Sequence, residues 1–126
     1  MLNRVKRVAR NLLDQAVYRQ QRQQVQTVQA RQDSDYQSYI DTQLQRTMAQ
    51  RHRHNSLRSP HLIDSIMDHV TPAPGQKVLC IGCRDTNELD YFRSKGMSHV
   101  TGIDLFSNSP DVQVMDMHNM TFPDDE

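Results

Sequence analysis

The sequence predicts an α/β fold in which a parallel sheet of about three strands, with flanking helices, follows a long N-terminal helical arm. Two observations predict the sheet: an apolar run over residues 78–81 leads into a turn at Gly82, and a second strand-like run over residues 100–103 ends on Asp104. The segment between the two runs is long enough for one helix. The arm is predicted by apolar residues at helical spacing within residues 1–31.

Charge divides the chain into two parts. Residues 1–53 carry ten basic against four acidic side chains, whereas residues 54–126 carry five against eleven. We therefore expect a basic arm over residues 1–53, a linker with a short helix over residues 54–76, and an acidic sheet domain over residues 77–126. The sequence contains neither the roughly 18 consecutive apolar residues of a membrane span nor a secretory signal, so we expect it in the cytoplasm.

Residues 1–31 have the pattern of an amphipathic helix. Its apolar residues recur at spacings of three and four: Leu2, Val5, Ala9, Leu12 and Ala16. Its polar side is basic: Arg4, Lys6, Arg7 and Arg10. Packing on its own or a neighbouring subunit is the favoured interpretation. Attachment to an anionic membrane surface and an organelle transit peptide are the alternatives.

The next segment, residues 20–50, is rich in glutamine and poor in apolar residues. A helix there would bury only a thin seam, and we expect the segment to be mobile unless a partner covers it. Residues 51–58 form a basic run with two histidines but no interleaved aromatic residues. A solvated linker is favoured over contact with nucleic acid, and no metal site is expected, because no cysteine or acid lies near the histidines.

A short helix should follow this run. Ser59 and Pro60 predict its start, with Ser59 as the N-cap. Apolar residues then recur at helical spacing: Leu62, Ile63, Ile66, Met67 and Val70. Residues 71–75 contain two prolines and a glycine and end the helix, whose apolar stripe should pack on the sheet.

The first strand, residues 77–81, is apolar on both faces, which is typical of a central strand in a parallel sheet. Gly82 follows at its carboxyl end, where a missing side chain lets the backbone approach a ligand. Asp85 and Glu88 resemble a capping box that opens the next helix, and residues 95–96, Lys-Gly, end that helix.

Cys80 and Cys83 have the spacing of a redox pair. That motif acts from a helix N-terminus, where the dipole lowers a thiol pKa. Cys80 instead falls inside an apolar strand, so a role as a small buried apolar residue is favoured.

Asp104 ends the second strand about twenty residues after the turn, the distance at which an acid meets the ribose of a bound adenosine cofactor. A carboxylate suits this task because its two oxygens can accept from both ribose hydroxyls. The alternative is that Asp104 only caps the following loop. Residues 111–115 are expected to form a third, short strand.

Three segments carry a family resemblance: residues 78–83, residues 102–104, and a run from Asp116 to residues 120–124, Met-Thr-Phe-Pro-Asp. Together they resemble the N-terminal half of class I S-adenosylmethionine-dependent methyltransferases, most closely the type 11 branch. The resemblance spans residues 57–126 and implies a partial Rossmann-like sheet that binds S-adenosylmethionine. The last run is the most discriminating, and it favours this cofactor over a nicotinamide dinucleotide.

The resemblance implies a cofactor site of seven residues: Gly82, Cys83, Arg84, Asp104, Leu105, Asp116 and Met117. The turn at Gly82 would pass beneath the methionine portion of the cofactor, and Asp104 would hold the ribose. Leu105 would flank the adenine, while Asp116 and the Met117 amide would address the edge of the adenine.

The chain departs from the family pattern in its first strand and turn. Cys80 stands where an acid is usual, and Arg84 and Thr86 stand where glycines are usual. The Arg84 guanidinium could meet the carboxylate of the cofactor's methionine portion, since arginine binds carboxylates through paired hydrogen bonds.

The resemblance implies a methyltransferase with an unknown methyl acceptor, and we assign no catalytic base. A complete domain of this kind would need roughly 80 to 120 more residues, so the chain is expected to be truncated. The alternative is a non-catalytic nucleotide-binding remnant that the N-terminal helix tethers to a membrane or a protein partner.

Overall fold

A computed structural model of the chain contains two compact units, Met1–Arg53 and His54–Glu126. It describes residues 2–28, 33–51 and 58–124. The last residues of the predicted arm helix and most of the predicted basic linker therefore lie outside the described residues. The described part mixes long helices with a three-stranded parallel sheet, which confirms the predicted α/β class and the long N-terminal helix.

The first unit is a pair of antiparallel helices, α1 (Leu2–Val28) and α2 (Ser34–Gln50). The antiparallel arrangement follows from two ion pairs: Arg51 lies 2.7 Å from Asp14, and Arg22 lies 3.5 Å from Asp41. None of the described helices combines the length and apolar content needed to cross a bilayer.

The seam between α1 and α2 is narrow and partly polar. Its buried side chains are Gln21 and Val25 from α1, and Tyr36, Ile40, Leu44 and Thr47 from α2. Asp33 caps α2, because its Oδ1 accepts the main-chain N–H of Tyr36 at 2.9 Å. The glutamine-rich sequence of α2 thus forms a helix with the thin seam that its pattern predicts, and α1 of the same chain covers that seam.

The second unit alternates helices and strands in the order α3 (Arg58–Met67), β1 (Lys77–Ile81), α4 (Asn87–Ser94), β2 (His99–Asp104) and β3 (Val112–Val114). The sheet is parallel in the order β1-β2-β3. In the register, Cys80 lies opposite Gly102, which in turn lies opposite Val112.

One face of this sheet carries the core of the unit. Strand residues meet side chains of α3 and α4 there in a single buried cluster: Ile63, Cys80, Cys83, Leu89, Phe92, Met97, Val100 and Val112. Gly102 belongs to the same face, and a Cβ at this position would lie 2.7 Å from Cys83 Sγ and 2.9 Å from a Leu89 methyl. Helix α4 can therefore approach the sheet this closely only because Gly102 has no side chain.

Strand β1 was predicted to be central, but in the described sheet β2 is central and β1 lies at an edge. Leu79 and Ile81 point to the face opposite the helices and are 42% and 50% exposed. An apolar composition on both faces does not by itself reveal how many neighbours a strand has.

One predicted helix start is wrong, and a second is confirmed only in part. Helix α3 already includes Arg58, so Ser59 lies inside it, and the Ser59 hydroxyl donates to Glu88 at 2.8 Å. Glu88 therefore does not complete the predicted capping box, although Asp85 Oδ1 accepts the N–H of Asn87, the first residue of α4, at 3.0 Å. Helix α4 instead begins after Thr86, whose side chain makes no capping hydrogen bond.

Candidate functional site

The carboxyl ends of β1 and β2 meet at one place, as adjacent parallel strands must. The Gly82 N–H donates to the Ile103 carbonyl at 2.8 Å, and the Arg84 N–H donates to Asp104 Oδ2 at 2.8 Å. The turn and the acid that the sequence singled out therefore lie in direct contact.

The turn adopts a left-handed backbone at two positions. Gly82 has φ +74° and Arg84 has φ +60°. A Cβ built at Gly82 would meet no atom within 4 Å, so the glycine is required by its backbone conformation and not by crowding. The space beside Gly82 is therefore open to a ligand.

Asp104 is held by the main chain on both sides. Its Oδ2 accepts from Arg84 and its Oδ1 accepts from the Leu105 N–H at 2.7 Å. Burial raises the pKa of the Asp104 carboxyl, while the Leu105 amide and the positive charge of Arg84 oppose that rise. The Phe106 amide also bonds to this carboxylate, so three of its roughly four lone-pair positions are occupied and about one is left for a hydroxyl donor.

Arg84 is fixed through its backbone, since its carbonyl accepts the Ser107 hydroxyl at 2.8 Å. Its Nε is buried and has no hydrogen-bond partner among the described residues. A buried donor without an acceptor costs about 1–3 kcal/mol. A ligand carboxylate would remove this cost if the Arg84 side chain turned to expose Nε.

Cys83 lies on the inner side of the turn. Its side chain is buried in the core cluster, and its thiol lies 3.8 Å from the Ile103 carbonyl. Burial raises the pKa of the Cys83 thiol to about 12, with a further contribution from the charge of Asp104. Burial raises the pKa of Cys80 as well, so both thiols are poor nucleophiles and only the backbone of Cys83 can border a ligand.

Asp116 and Met117 follow β3 and lie next to the same edge of the sheet, because the Met115 N–H donates to the Asp104 carbonyl at 2.9 Å. Asp116 is 1% exposed, and its Oδ1 accepts the His118 N–H and lies 2.8 Å from His118 Nδ1. Met117 is exposed. The Asp116 carboxylate therefore positions the loop after β3.

Ser107 and His118 also belong to this cluster, although the sequence pattern does not predict either as a site residue. Ser107 is 2% exposed, donates to Arg84 and accepts the Ser109 N–H at 3.0 Å. Each has a short sequence feature that could have indicated it. Ser107 begins a Ser-Asn-Ser-Pro turn three residues after Asp104, and His118 lies two residues after Asp116.

A cavity of about 500 Å³ lies elsewhere in the second unit. It is lined by Lys77, His99 and Phe122 among others, and therefore by the residues at which β1 and β2 begin. Gly82 and Asp104 lie at the opposite ends of these strands, so this cavity is separate from the candidate site.

The candidate site thus joins a carboxylate with about one spare acceptor position, an open glycine turn and an arginine with an unsatisfied donor. Such a set suits a ligand that has hydroxyl groups and a carboxylate. The described residues hold no group of three or more His, Cys, Asp or Glu placed to bind a metal ion. Comparison of the chain with protein-family models, with curated proteins and with solved structures finds no match.

Proposed function

We propose that the second unit binds S-adenosylmethionine and is the cofactor-binding part of a methyltransferase with a Rossmann-like sheet. One observation carries the proposal: the Gly82 turn and Asp104 meet at the carboxyl ends of adjacent parallel strands, where α/β folds bind nucleotides. The sequence resemblance to class I methyltransferases selects this cofactor among adenosine compounds.

The residues present fit such a ligand at three points. Asp104 would accept a ribose hydroxyl, the open space beside Gly82 would admit the methionine portion, and the Arg84 guanidinium, turned to expose Nε, would gain the acceptor that it lacks. Leu105 and Met117 would border the adenine. Asp116 would contribute by holding the loop that carries the Met117 amide.

The bound cofactor would supply a methyl group on a sulfonium, which an acceptor displaces in line. The contribution of this chain is to orient the cofactor and to exclude water from one side of it. No general base is assigned, since one is needed only when the acceptor must lose a proton.

Isothermal titration calorimetry of the full chain with S-adenosylmethionine tests the proposal. We expect micromolar binding, and at least a tenfold loss of affinity in Asp104→Asn, because a hydrogen bond to a charged group contributes about 1.5–3 kcal/mol. Asp111→Asn is the matched control, since Asp111 is an exposed acid on the loop before β3. Circular dichroism establishes that each variant is folded.

Three results would contradict the proposal: no binding by a folded chain, equal affinity in Asp104→Asn, or tighter binding of a nicotinamide dinucleotide. The non-catalytic alternative is distinguished by binding. A folded chain with no detectable affinity for S-adenosylmethionine would favour a degenerate nucleotide-binding remnant.

A further inference from the structure

The first three turns of α1 form a separate surface feature, which we call the N-terminal overhang (residues 2–13). Every residue in it is exposed. The Asp14–Arg51 ion pair places the end of α2 at the next residue of α1. At 1.5 Å per residue, the overhang extends about 18 Å past the paired part of the two helices.

The side of α1 that packs against α2 differs from the side that carries the apolar residues of the overhang. The buried and half-buried residues of α1 follow one stripe: Asp14, Val17, Tyr18, Gln21, Gln24, Val25 and Val28. Continued towards the N-terminus at about 100° per residue, this stripe passes through Arg7 and Arg10.

The apolar stripe of the overhang is rotated from that side by about 130°. Its large members are strongly exposed: Leu2 70%, Val5 62%, Leu12 61% and Leu13 63%. Helix α2 therefore cannot cover this stripe, and burial of the stripe requires a different binding partner.

The basic residues of the overhang frame its apolar stripe. On the helical wheel Arg4 borders one edge of the stripe, next to Val8, and Lys6 borders the other, next to Leu13. Arg7 and Arg10 lie on the far side, and no acid occurs before Asp14. Long basic side chains at both edges can keep their charges at the level of lipid headgroups while the stripe is buried.

Pairing of two overhangs with each other across the stripe is unfavourable, because it would bring their basic edges together with no acid in either to offset them. We propose that the overhang binds the surface of an anionic bilayer, with the apolar stripe inserted at the headgroup boundary and the basic edges facing anionic lipids. This inference does not depend on the proposed cofactor.

Co-sedimentation of the full chain with lipid vesicles tests the inference. We expect binding to phosphatidylcholine vesicles that contain phosphatidylserine, at least tenfold weaker binding to phosphatidylcholine alone, and loss of binding as salt is raised. Val5→Glu/Leu12→Glu should weaken binding at least tenfold more than Gln20→Glu/Gln23→Glu. The latter pair adds the same two charges at exposed positions of α1 outside the overhang.

Because Val5 and Leu12 are exposed, both double variants should keep the helical circular dichroism of the parent chain. A chain that stays in the supernatant with anionic vesicles would overturn the inference. Equal binding by the two double variants would also overturn it, since the stripe would then play no part. So would a dimer in analytical ultracentrifugation that Val5→Glu/Leu12→Glu converts to a monomer, because the occupant would then be a second copy.

Discussion

Arg84 combines two features that each cost free energy. It has φ +60°, a left-handed conformation that costs an L-residue about 1–2 kcal/mol, and its Nε is buried without a partner among the described residues. Contacts from Asp104 and Ser107 hold its backbone in this state. Strain maintained in this way is typical of ligand sites, and the proposed carboxylate contact would offset it.

Arg84→Gly should separate folding from binding. Glycine adopts φ +60° without strain, so the free energy of unfolding should stay the same or rise by up to about 1 kcal/mol. The affinity for S-adenosylmethionine should fall at least tenfold, because the guanidinium is lost. Urea denaturation and calorimetry measure the two quantities. Unchanged affinity would remove Arg84 from the site and leave the role of Asp104 to its own test.

The affinity should also depend on pH through Asp104. Burial raises the pKa of this carboxyl above its ordinary 3.8, and hydroxyl donors from a bound ribose would lower it again. Binding then releases a proton at acidic pH, so affinity should fall by up to about tenfold per pH unit between the raised pKa of the free chain and the lower pKa of the complex. Calorimetry between about pH 4 and pH 8 measures this, and Asp104→Asn should lose the dependence.

The same raised pKa has the opposite effect on the stability of the folded chain, which it increases at low pH while the affinity decreases there. It stabilises the folded chain at low pH, and this contribution is complete below the ordinary pKa of 3.8 and is lost as the pH rises through the folded value. A flat affinity profile in the parent chain would contradict a role for the Asp104 carboxylate in binding.

The central contact of the site could be predicted from the sequence, and its details could not. An apolar run that ends at Gly82 and another that ends at Asp104 must bring these residues together if the strands are parallel neighbours. Nothing in the pattern shows that Asp116 faces His118 or that Ser107 holds Arg84. Those contacts depend on loop geometry, which hydrophobic periodicity does not encode.

At the scale of elements, the fit of α4 against β2 depends on Gly102. The nearest side-chain atoms to a Cβ at this position would be Cys83 Sγ at 2.7 Å and Leu89 methyls at 2.9 and 3.0 Å. Real Cβ atoms do not approach so closely, so any side chain here must push the helix away from the sheet.

Gly102→Ala should therefore lower the free energy of unfolding by about 1–3 kcal/mol. Cys83→Ala removes the nearest clashing atom, so the double variant should be more stable than the sum of the two single effects predicts. Urea denaturation of the four chains gives this coupling energy. Additivity within about 0.5 kcal/mol would show that the thiol is not the obstructing group.

Element prediction succeeded where the pattern was dense. Strands β1 and β2 have the predicted ends, since apolar runs stop abruptly at Ile81 and Asp104. It failed at the start of α3, because the Ser59 hydroxyl makes a tertiary contact with Glu88 instead of a cap. The packing side of α1 was also missed, because the buried stripe contains Gln21 and the obvious apolar stripe is exposed.

At the scale of the whole molecule, the two units have separate buried clusters. That of the helix pair centres on Leu44, Ile40 and Val25, and that of the sheet unit lies between the helices and β1 to β3. Each cluster is built from residues of its own unit. A substitution that destabilises one cluster should therefore leave the contacts within the other unchanged.

Leu44→Ala tests this separation. Leu44 is fully buried, so its truncation should lower the stability of the helix pair by about 2–5 kcal/mol, seen as earlier loss of helical circular dichroism on heating. The affinity for S-adenosylmethionine should not change. Leu12→Ala is the matched control, because Leu12 is exposed in the same unit and its truncation should leave the melting curve in place. A parallel loss of affinity in Leu44→Ala would show that the units depend on each other.

The edge position of β1 has a practical consequence for handling the purified chain. Among the described residues β1 pairs only with β2, which leaves a row of backbone donors and acceptors next to the exposed Leu79 and Ile81. Such an edge is a template for intermolecular strand pairing. Concentrated solutions should therefore aggregate on storage, seen as a rise in light scattering. Leu79→Lys should delay this rise, because β1 strands from two molecules that pair would then bring like charges together.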